Sequence, residues 1–252
     1  MTDRNATARP SPADSLEELV AQSDTGARQP SGVTGRVLLY TAIAWSLFQL
    51  WYASPLPFML NVFILNDTEA RAIHLGFALF LAFTAYPALR SSPRDRVPTL
   101  DWALAFAGAF CGSYLYWFYD ALASRPGLPT WYDLAVSVAG LALLLEATRR
   151  ALGPPLMAIA LVFLGYVFFG SHLPDVIAYQ GASLTAAMSH MYLTTEGVYG
   201  IALGVSTSFV FVFVLFGSLL DKAGAGNYFI KVAFSLLGHM RGGPAKAAVL
   251  SS

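Results

Sequence analysis

The sequence predicts an all-α polytopic integral membrane protein with about six transmembrane helices and additional interfacial helices. Three observations lead there. First, 56% of the 252 residues are hydrophobic and only 12% are charged, about half the charged fraction of a soluble domain. Second, long stretches carry no Asp, Glu, Lys or Arg: 37–66, 72–89, 102–119, 134–145, 151–174 and 197–220. A charge at the bilayer centre costs about 2.5–3.5 kcal/mol even on the lenient insertion scale, so such stretches are candidates to cross. Third, Lys and Arg alternate between many and few from one connection to the next. The composition argues against a soluble enzyme or a disordered protein. With 15 basic and 15 acidic residues there is no cationic excess to neutralise phosphates, so no nucleic-acid partner is expected. A single cysteine, Cys111, excludes an intrachain disulfide framework and any multi-cysteine zinc site.

Taken in order, residues 1–36 hold Arg4, Arg9, Arg28, Arg36 and five acids among Pro10, Pro12 and Pro30. This composition predicts a disordered tail, and it lacks the apolar core of a secretory signal. Six spans follow at roughly 37–53, 72–89, 101–119, 131–148, 152–170 and 197–219. Continuous apolar runs without alternation favour helices over barrel strands, and helices satisfy their own backbone in lipid. Pro55 and Pro57 stop the first span, and the short apolar run 58–65 reads as interfacial. Leu184, Met188, Met191 and Tyr192 fall at helical spacing and predict a short interfacial helix. A further interfacial helix is expected over 221–241, where Lys231 interrupts an apolar run.

With the tail placed in the cytoplasm, thirteen of the fifteen basic residues fall on that side. Only Arg71 and Arg125 lie opposite. This bias sets the orientation, amino terminus inside. Tyr114, Tyr116, Trp117, Phe118 and Tyr119, with Trp131 and Tyr132, then sit at the outer interface as an aromatic belt.

Motifs for soluble chemistry are missing. No phosphate-cradling GxxxxGK[ST], HExxH or GxSxG occurs, and His74, His172, His190 and His239 are dispersed without ligand spacing. No metal site and no enzyme activity are expected. GxxxG occurs at Gly108–Gly112 and Gly200–Gly204; it allows helices to pack closely, within one chain or between two. Ser206, Thr207 and Ser208 follow Gly204 inside the sixth span. Small hydroxyls beside glycine can bind an ion or substrate where a helix opens, or bond to a neighbouring helix or the preceding turn. Asp133 and Glu146 are the acids nearest a span interior; they can act there or reach the interface from the helix ends.

The second half carries an ordered set of motifs. They are Gly153-Pro154-Pro155-Leu156, Gly165–Gly170, Tyr192–Gly200, Gly204-Val205-Ser206, Phe213–Gly217, Ala223–Gly226 and Gly242-Gly243-Pro244-Ala245-Lys246. The set resembles the fused permeases of tripartite ATP-independent periplasmic (TRAP) transporters. In these, small-subunit-like helices (here 37–149) precede a large, DctM-like transport part (here 150–252). The resemblance implies a secondary transporter of the bacterial inner membrane, coupled to an ion gradient, usually sodium, with no other cofactor. It implies a periplasmic solute-binding protein as partner, often of the TAXI type, delivering a small organic acid. A re-entrant hairpin is expected after the Gly-Gly-Pro break, with Ser251 and Ser252 on its first arm. The chain is expected to stop there in mid-element, before the hairpin tip. A membrane scaffold or assembly subunit without its own transport site is the alternative reading.

Overall fold

Asn66 starts the helix around which the others assemble. In the computed structural model, which describes residues 26–28, 30–89, 91–174 and 176–237, its side chain accepts from the Glu69 amide at 2.9 Å. The Glu69 carboxylate accepts from the Asn66 amide at 2.8 Å. This reciprocal cap satisfies two of the amides that a helix amino terminus leaves unpaired. The helix, Asp67–Ala85, is α3. It buries Ala70, Ala72, His74, Leu75, Gly76, Leu79, Phe83 and Thr84 against its neighbours.

Before it come α1, Gly32–Ala53, and the short α2, Leu56–Leu60. After it come α4, Thr99–Gly112, and two short helices, α5 (Tyr114–Trp117) and α6 (Tyr119–Ala123). The long α7, Trp131–Leu152, is capped by Thr130 and Asp133 in the same reciprocal way as α3. Gly153, at φ 88°, turns the chain in the left-handed region that favours glycine, and Pro154 then opens α8, Pro154–Phe169. A 3₁₀ turn at Gly170–His172 follows, then α9, Leu184–Tyr192. The last long helix has three parts: α10 (Ile201–Val205), a π turn (Ser206–Val210) and α11 (Phe211–Lys222). Gly224 turns the chain into α12, Ala225–Leu237. No strand occurs among the described residues.

The glycine pattern in the third expected span packs within the chain. A Cβ on Gly112 would lie 3.0 Å from the Gly76 nitrogen, and one on Gly108 would lie 3.2 Å from Leu79 Cβ. Glycine thus lets α3 and α4 cross at backbone contact. The core built there includes Leu75, Leu79, Phe83, Ala105, Tyr114, Leu115 and Leu141, and it extends to Met188, Tyr192 and Tyr199.

Among the described residues, four helices are long and apolar enough to cross a membrane: Gly32–Ala53, Trp131–Leu152, Pro154–His172 and Ile201–Lys222. Twenty-two residues rise about 33 Å, enough for a hydrocarbon core of about 30 Å. The other two expected spans differ from the sequence reading. The second starts early, at Asp67, so its first turn carries Asp67, Glu69 and Arg71. The third breaks at Ser113, whose hydroxyl donates to the Ala109 carbonyl at 2.8 Å. The fourteen residues of α4 rise only about 21 Å. Helix α9 matches the expected short helix but is not merely laid on a surface. Its Ala187, Met188, Ser189 and Tyr192 are buried, and the Tyr192 ring occupies the space over Gly140 of α7.

Residues 1–25, most of the expected tail, lie outside the described residues. Gly32–Arg36 is the first turn of α1, and Arg28 is buried at the carboxyl end of α3. Its backbone amide donates to the Ala85 carbonyl at 2.7 Å. Its guanidinium reaches the carbonyls of Phe83 and Thr84 at 3.3 Å and Asp101 at 2.5 Å. Asp101 also takes Arg150 at 2.8 Å, and Glu146 takes Arg149 and Arg150. One end of the bundle is therefore an arginine–carboxylate network. Arg71, Arg125 and Asp133 lie at the other.

Candidate functional site

The hydroxyl run of the last long helix sits where that helix changes its winding. Thr207 and Ser208 each turn their hydroxyl back along their own helix, to the carbonyls of Leu203 and Gly204, both at 2.8 Å. Such back-bonding competes with the amide ladder and bends helices. Here it accompanies the π turn, a widening often found at functional sites. The buried face of the turn is Thr207, 1% exposed. Ser208 instead lines a cavity of about 580 Å³ with Tyr52, Phe209, Val212, Phe213 and Phe216.

Ser206 faces α3. Its Oγ lies 3.2 Å from His74 Nε2. On the far side of the ring, Nδ1 meets Trp45 Nε1 at 3.2 Å and the Gln49 amide nitrogen. Gln49 is fully buried, and its Oε1 has no partner. A four-residue polar cluster therefore sits among apolar helices, drawn from α1, α3 and the π turn. One turn earlier on α3, Arg71 donates to the carbonyls of Tyr199 at 2.8 Å and Gly200 at 3.1 Å, and it pairs with Asp67. Gly204 makes room for it, since a Cβ there would lie 2.7 Å from the guanidinium carbon. The second GxxxG pattern thus also serves packing within the chain. Tyr199 donates to the Gly112 carbonyl at 2.9 Å. These contacts fasten the start of α10 to the α3–α4 crossing.

The structure brings Ser206 together with His74 and leaves Thr207 and Ser208 bonded to their own helix. Ser251 and Ser252 lie outside the described residues, as does the expected hairpin. Asp133 is 1% exposed and fully engaged: Tyr114 donates at 2.7 Å, Thr130 through both amide and hydroxyl, and Arg125 at 3.0 Å. Glu146 is held by Arg149 and Arg150 at 2.7 and 2.8 Å. Both acids serve as ion-pair partners at helix ends. His172 and His190 are exposed; the first neighbours Ser171, the second Glu196. No group of three His, Cys, Asp or Glu side chains that could hold a metal occurs among the described residues.

Sequence reasoning missed the His74–Gln49 pair and the bonds of Arg71. A polar residue within an apolar run was the available sign, because an ionisable side chain at membrane depth marks a functional site by default.

The fold and this buried polar junction define a multi-pass α-helical membrane protein. Residues 139–252 match the family model described as the DctM component of the tripartite ATP-independent periplasmic transporter. That stretch is a DctM-like region. The match begins inside α7, ahead of the boundary expected at residue 150, and it takes in α8 to α12 with the π turn. Comparison with curated proteins and with solved structures gave no match.

Proposed function

We propose that the chain is the permease component of a secondary transporter, driven by a sodium gradient, that takes up a small organic acid. A periplasmic solute-binding protein, of the TAXI type, delivers the acid. The observation that carries this reading is the DctM match running through the long helix whose π turn contacts His74. Broken or rewound helices at depth are where transporters gather polar groups for ions and anionic solutes. The protein sits in the bacterial inner membrane with the arginine-rich end of the bundle toward the cytoplasm. Arg28, Arg149 and Arg150 meet there, in keeping with the excess of basic residues on cytoplasmic loops.

The test is reconstitution of the full-length protein in liposomes with its binding protein. Radiolabelled solute should accumulate when sodium is higher outside, with no ATP present. Uptake that needs ATP, or that ignores the sodium gradient, counts against the proposal. A second reading is that the chain is a membrane scaffold or assembly subunit without its own transport site. It draws support from α3, α4 and α7, which supply most of the core, and from the hydroxyls of Thr207 and Ser208, which their own helix satisfies. Under that reading, substitutions in α4 lower assembly and leave the affinity for solute unchanged.

A further inference from the structure

The end of the bundle opposite the Arg28–Asp101–Arg150 network holds a cavity of about 290 Å³. Three parts of the chain close around it. They are the first turn of α3 at Thr68, the run from α5 through α6 to Pro129, and the end of α9 from Ser189 to Thr195. Leu115, Leu122 and Leu193 give it apolar walls. Its polar groups are few: the Arg125 guanidinium and the hydroxyls of Thr68, Tyr119, Ser189, Thr194 and Thr195. Apolar walls with a small number of convergent polar groups are the usual make-up of a small-molecule site.

The charge of the lining decides the charge of the ligand. No carboxylate lines the cavity among the described residues, and Arg125 is its cation. A guanidinium carries N–H donors on all three nitrogens. Nη2 bonds Asp133, 3.0 Å from one oxygen and 3.3 Å from the other. Nε has no partner, and Nη1 makes no bond among the described residues. Asp133 is the reverse case. Besides Arg125 it accepts from Tyr114 at 2.7 Å and from the Thr130 amide and hydroxyl at 2.7 and 2.8 Å. The ion pair therefore leaves donors over on the arginine and no free acceptor on the aspartate. Asp133 is 1% exposed, whereas the Arg125 side chain is 32% exposed and faces the cavity.

The hydroxyls add donors around that charge. Ser189 is only 9% exposed, yet its side chain lines the cavity and bonds nothing among the described residues. Thr68 and Thr195 line it likewise without a side-chain donor bond of their own. Thr194 differs, because its hydroxyl donates to the His190 carbonyl of its own helix at 2.7 Å. A hydroxyl hydrogen rotates toward whatever acceptor is offered. One cation ringed by rotatable donors suits a group that is all acceptor and carries a negative charge. A cationic ligand has no counter-charge here. A dicarboxylate would set its second charge against leucine walls, which is costly.

We propose that this cavity is an anion site that takes one carboxylate or phosphate group on a small body, held by Arg125 and the hydroxyls of Ser189, Thr68 and Thr195. Its volume lies at the low end for ligand pockets, so the body is small. Two sources offer that chemistry at a bundle end: a soluble monoanion and the headgroup phosphate of a lipid. The site joins the α3 start, the α6–α7 connection and α9, so an occupant ties the three together. This inference does not rest on the transporter reading, and its test uses no transport.

The experiment is saturation-transfer NMR of butyrate with the full-length protein in a neutral detergent. Butyrate should bind saturably, and inorganic phosphate should displace it. Butylammonium, of the same size and opposite charge, should not bind. Arg125→Gln should weaken butyrate about tenfold or more, because a hydrogen bond to a charged group is lost. Thr195→Asp, on a partly exposed loop, leaves the Arg125–Asp133 pair in place and should weaken it about tenfold by like-charge repulsion. If Arg125→Gln does not fold, the Thr195 variant decides. Added phosphatidylglycerol that displaces butyrate, where diacylglycerol does not, assigns the site to a lipid phosphate. Butyrate binding that withstands phosphatidylglycerol assigns it to a soluble anion. The proposal is overturned if butyrate does not bind, if it binds equally to wild type and the Thr195 variant, or if butylammonium or diacylglycerol competes as well as phosphate.

Discussion

Replacing Asp101 with alanine tests the arginine network most directly. Asp101 accepts from Arg28 at 2.5 Å and from Arg150 at 2.8 Å, and the three side chains are 4%, 0% and 3% exposed. Removing the carboxylate leaves two buried cations at once. Breaking a buried pair from one side costs about 3–5 kcal/mol, because the partner's charge stays behind. Other contacts soften the loss here. Arg28 keeps the carbonyls of Phe83, Thr84 and Pro93. Arg150 keeps Glu146 at 2.8 Å and lies 4.9 Å over the Phe83 ring. The expected cost is therefore at the low end, about 3 kcal/mol, or roughly a hundredfold in the folding equilibrium. Glu146→Ala is the internal control. Glu146 is 31% exposed, and its loss should cost about 1 kcal/mol or less. Unfolding by a denaturing detergent can be followed by the fluorescence of Trp102, which is adjacent to Asp101 and stacked on Phe106. Replacing all three network residues by apolar side chains of similar volume should recover most of the lost stability. If Asp101→Ala stays within about 1 kcal/mol of wild type, or is no worse than Glu146→Ala, the cluster does not hold the bundle end together and the reasoning fails.

Further substitutions address the junction. Tyr192→Phe should leave stability unchanged or raised, because its hydroxyl is buried without a partner. Tyr199→Phe loses the bond to the Gly112 carbonyl and should cost about 1 kcal/mol in the same unfolding assay; equal effects would contradict the assigned contacts. Arg71→Leu removes the donors to the Tyr199 and Gly200 carbonyls and should cost about 1.5–3 kcal/mol. Arg71→Lys should not restore the full amount, since a single ammonium does not reproduce the guanidinium fork. Thermal shifts in detergent that rank lysine equal to arginine would refute this. Gly112→Val drives a side chain into the α3 backbone at Gly76 and Leu75 and should destabilise by about 1–3 kcal/mol or more. A neutral result would mean that α3 and α4 cross farther apart than described.

Several elements were legible before any coordinates. The expected spans locate α1, α7, α8 and the long helix 201–222 to within about five residues, because bilayer insertion adds up residue by residue along the chain. Pro55, Gly153-Pro154 and Gly224 mark ends that the backbone obeys. Helix α3 was less legible. Its opening at Asp67 depends on a reciprocal cap, and Arg71, a turn further on, bonds to a segment more than a hundred residues away. The break at Ser113 was not visible either, since nothing in a uniformly apolar run announces where a helix must bend around a close crossing.

The candidate site divides in the same way. Ser206, Thr207 and Ser208 stand out in the sequence as hydroxyls within an apolar helix. Which of them faces a partner does not. That choice needs His74, 132 residues earlier, and Gln49, 25 residues before that. By itself the sequence determined that this chain lives in a membrane, where its long helices run, and which motifs it shares with TRAP permeases. Those properties follow from hydrophobicity, charge and local backbone preference, which each residue carries with it. Only the tertiary structure decided that Arg28 closes the end of α3, that Asp133 and Glu146 are ion-pair partners, and that His74 meets Ser206. A buried polar group must find its partner in space, and the distance along the chain gives no indication of which one it finds.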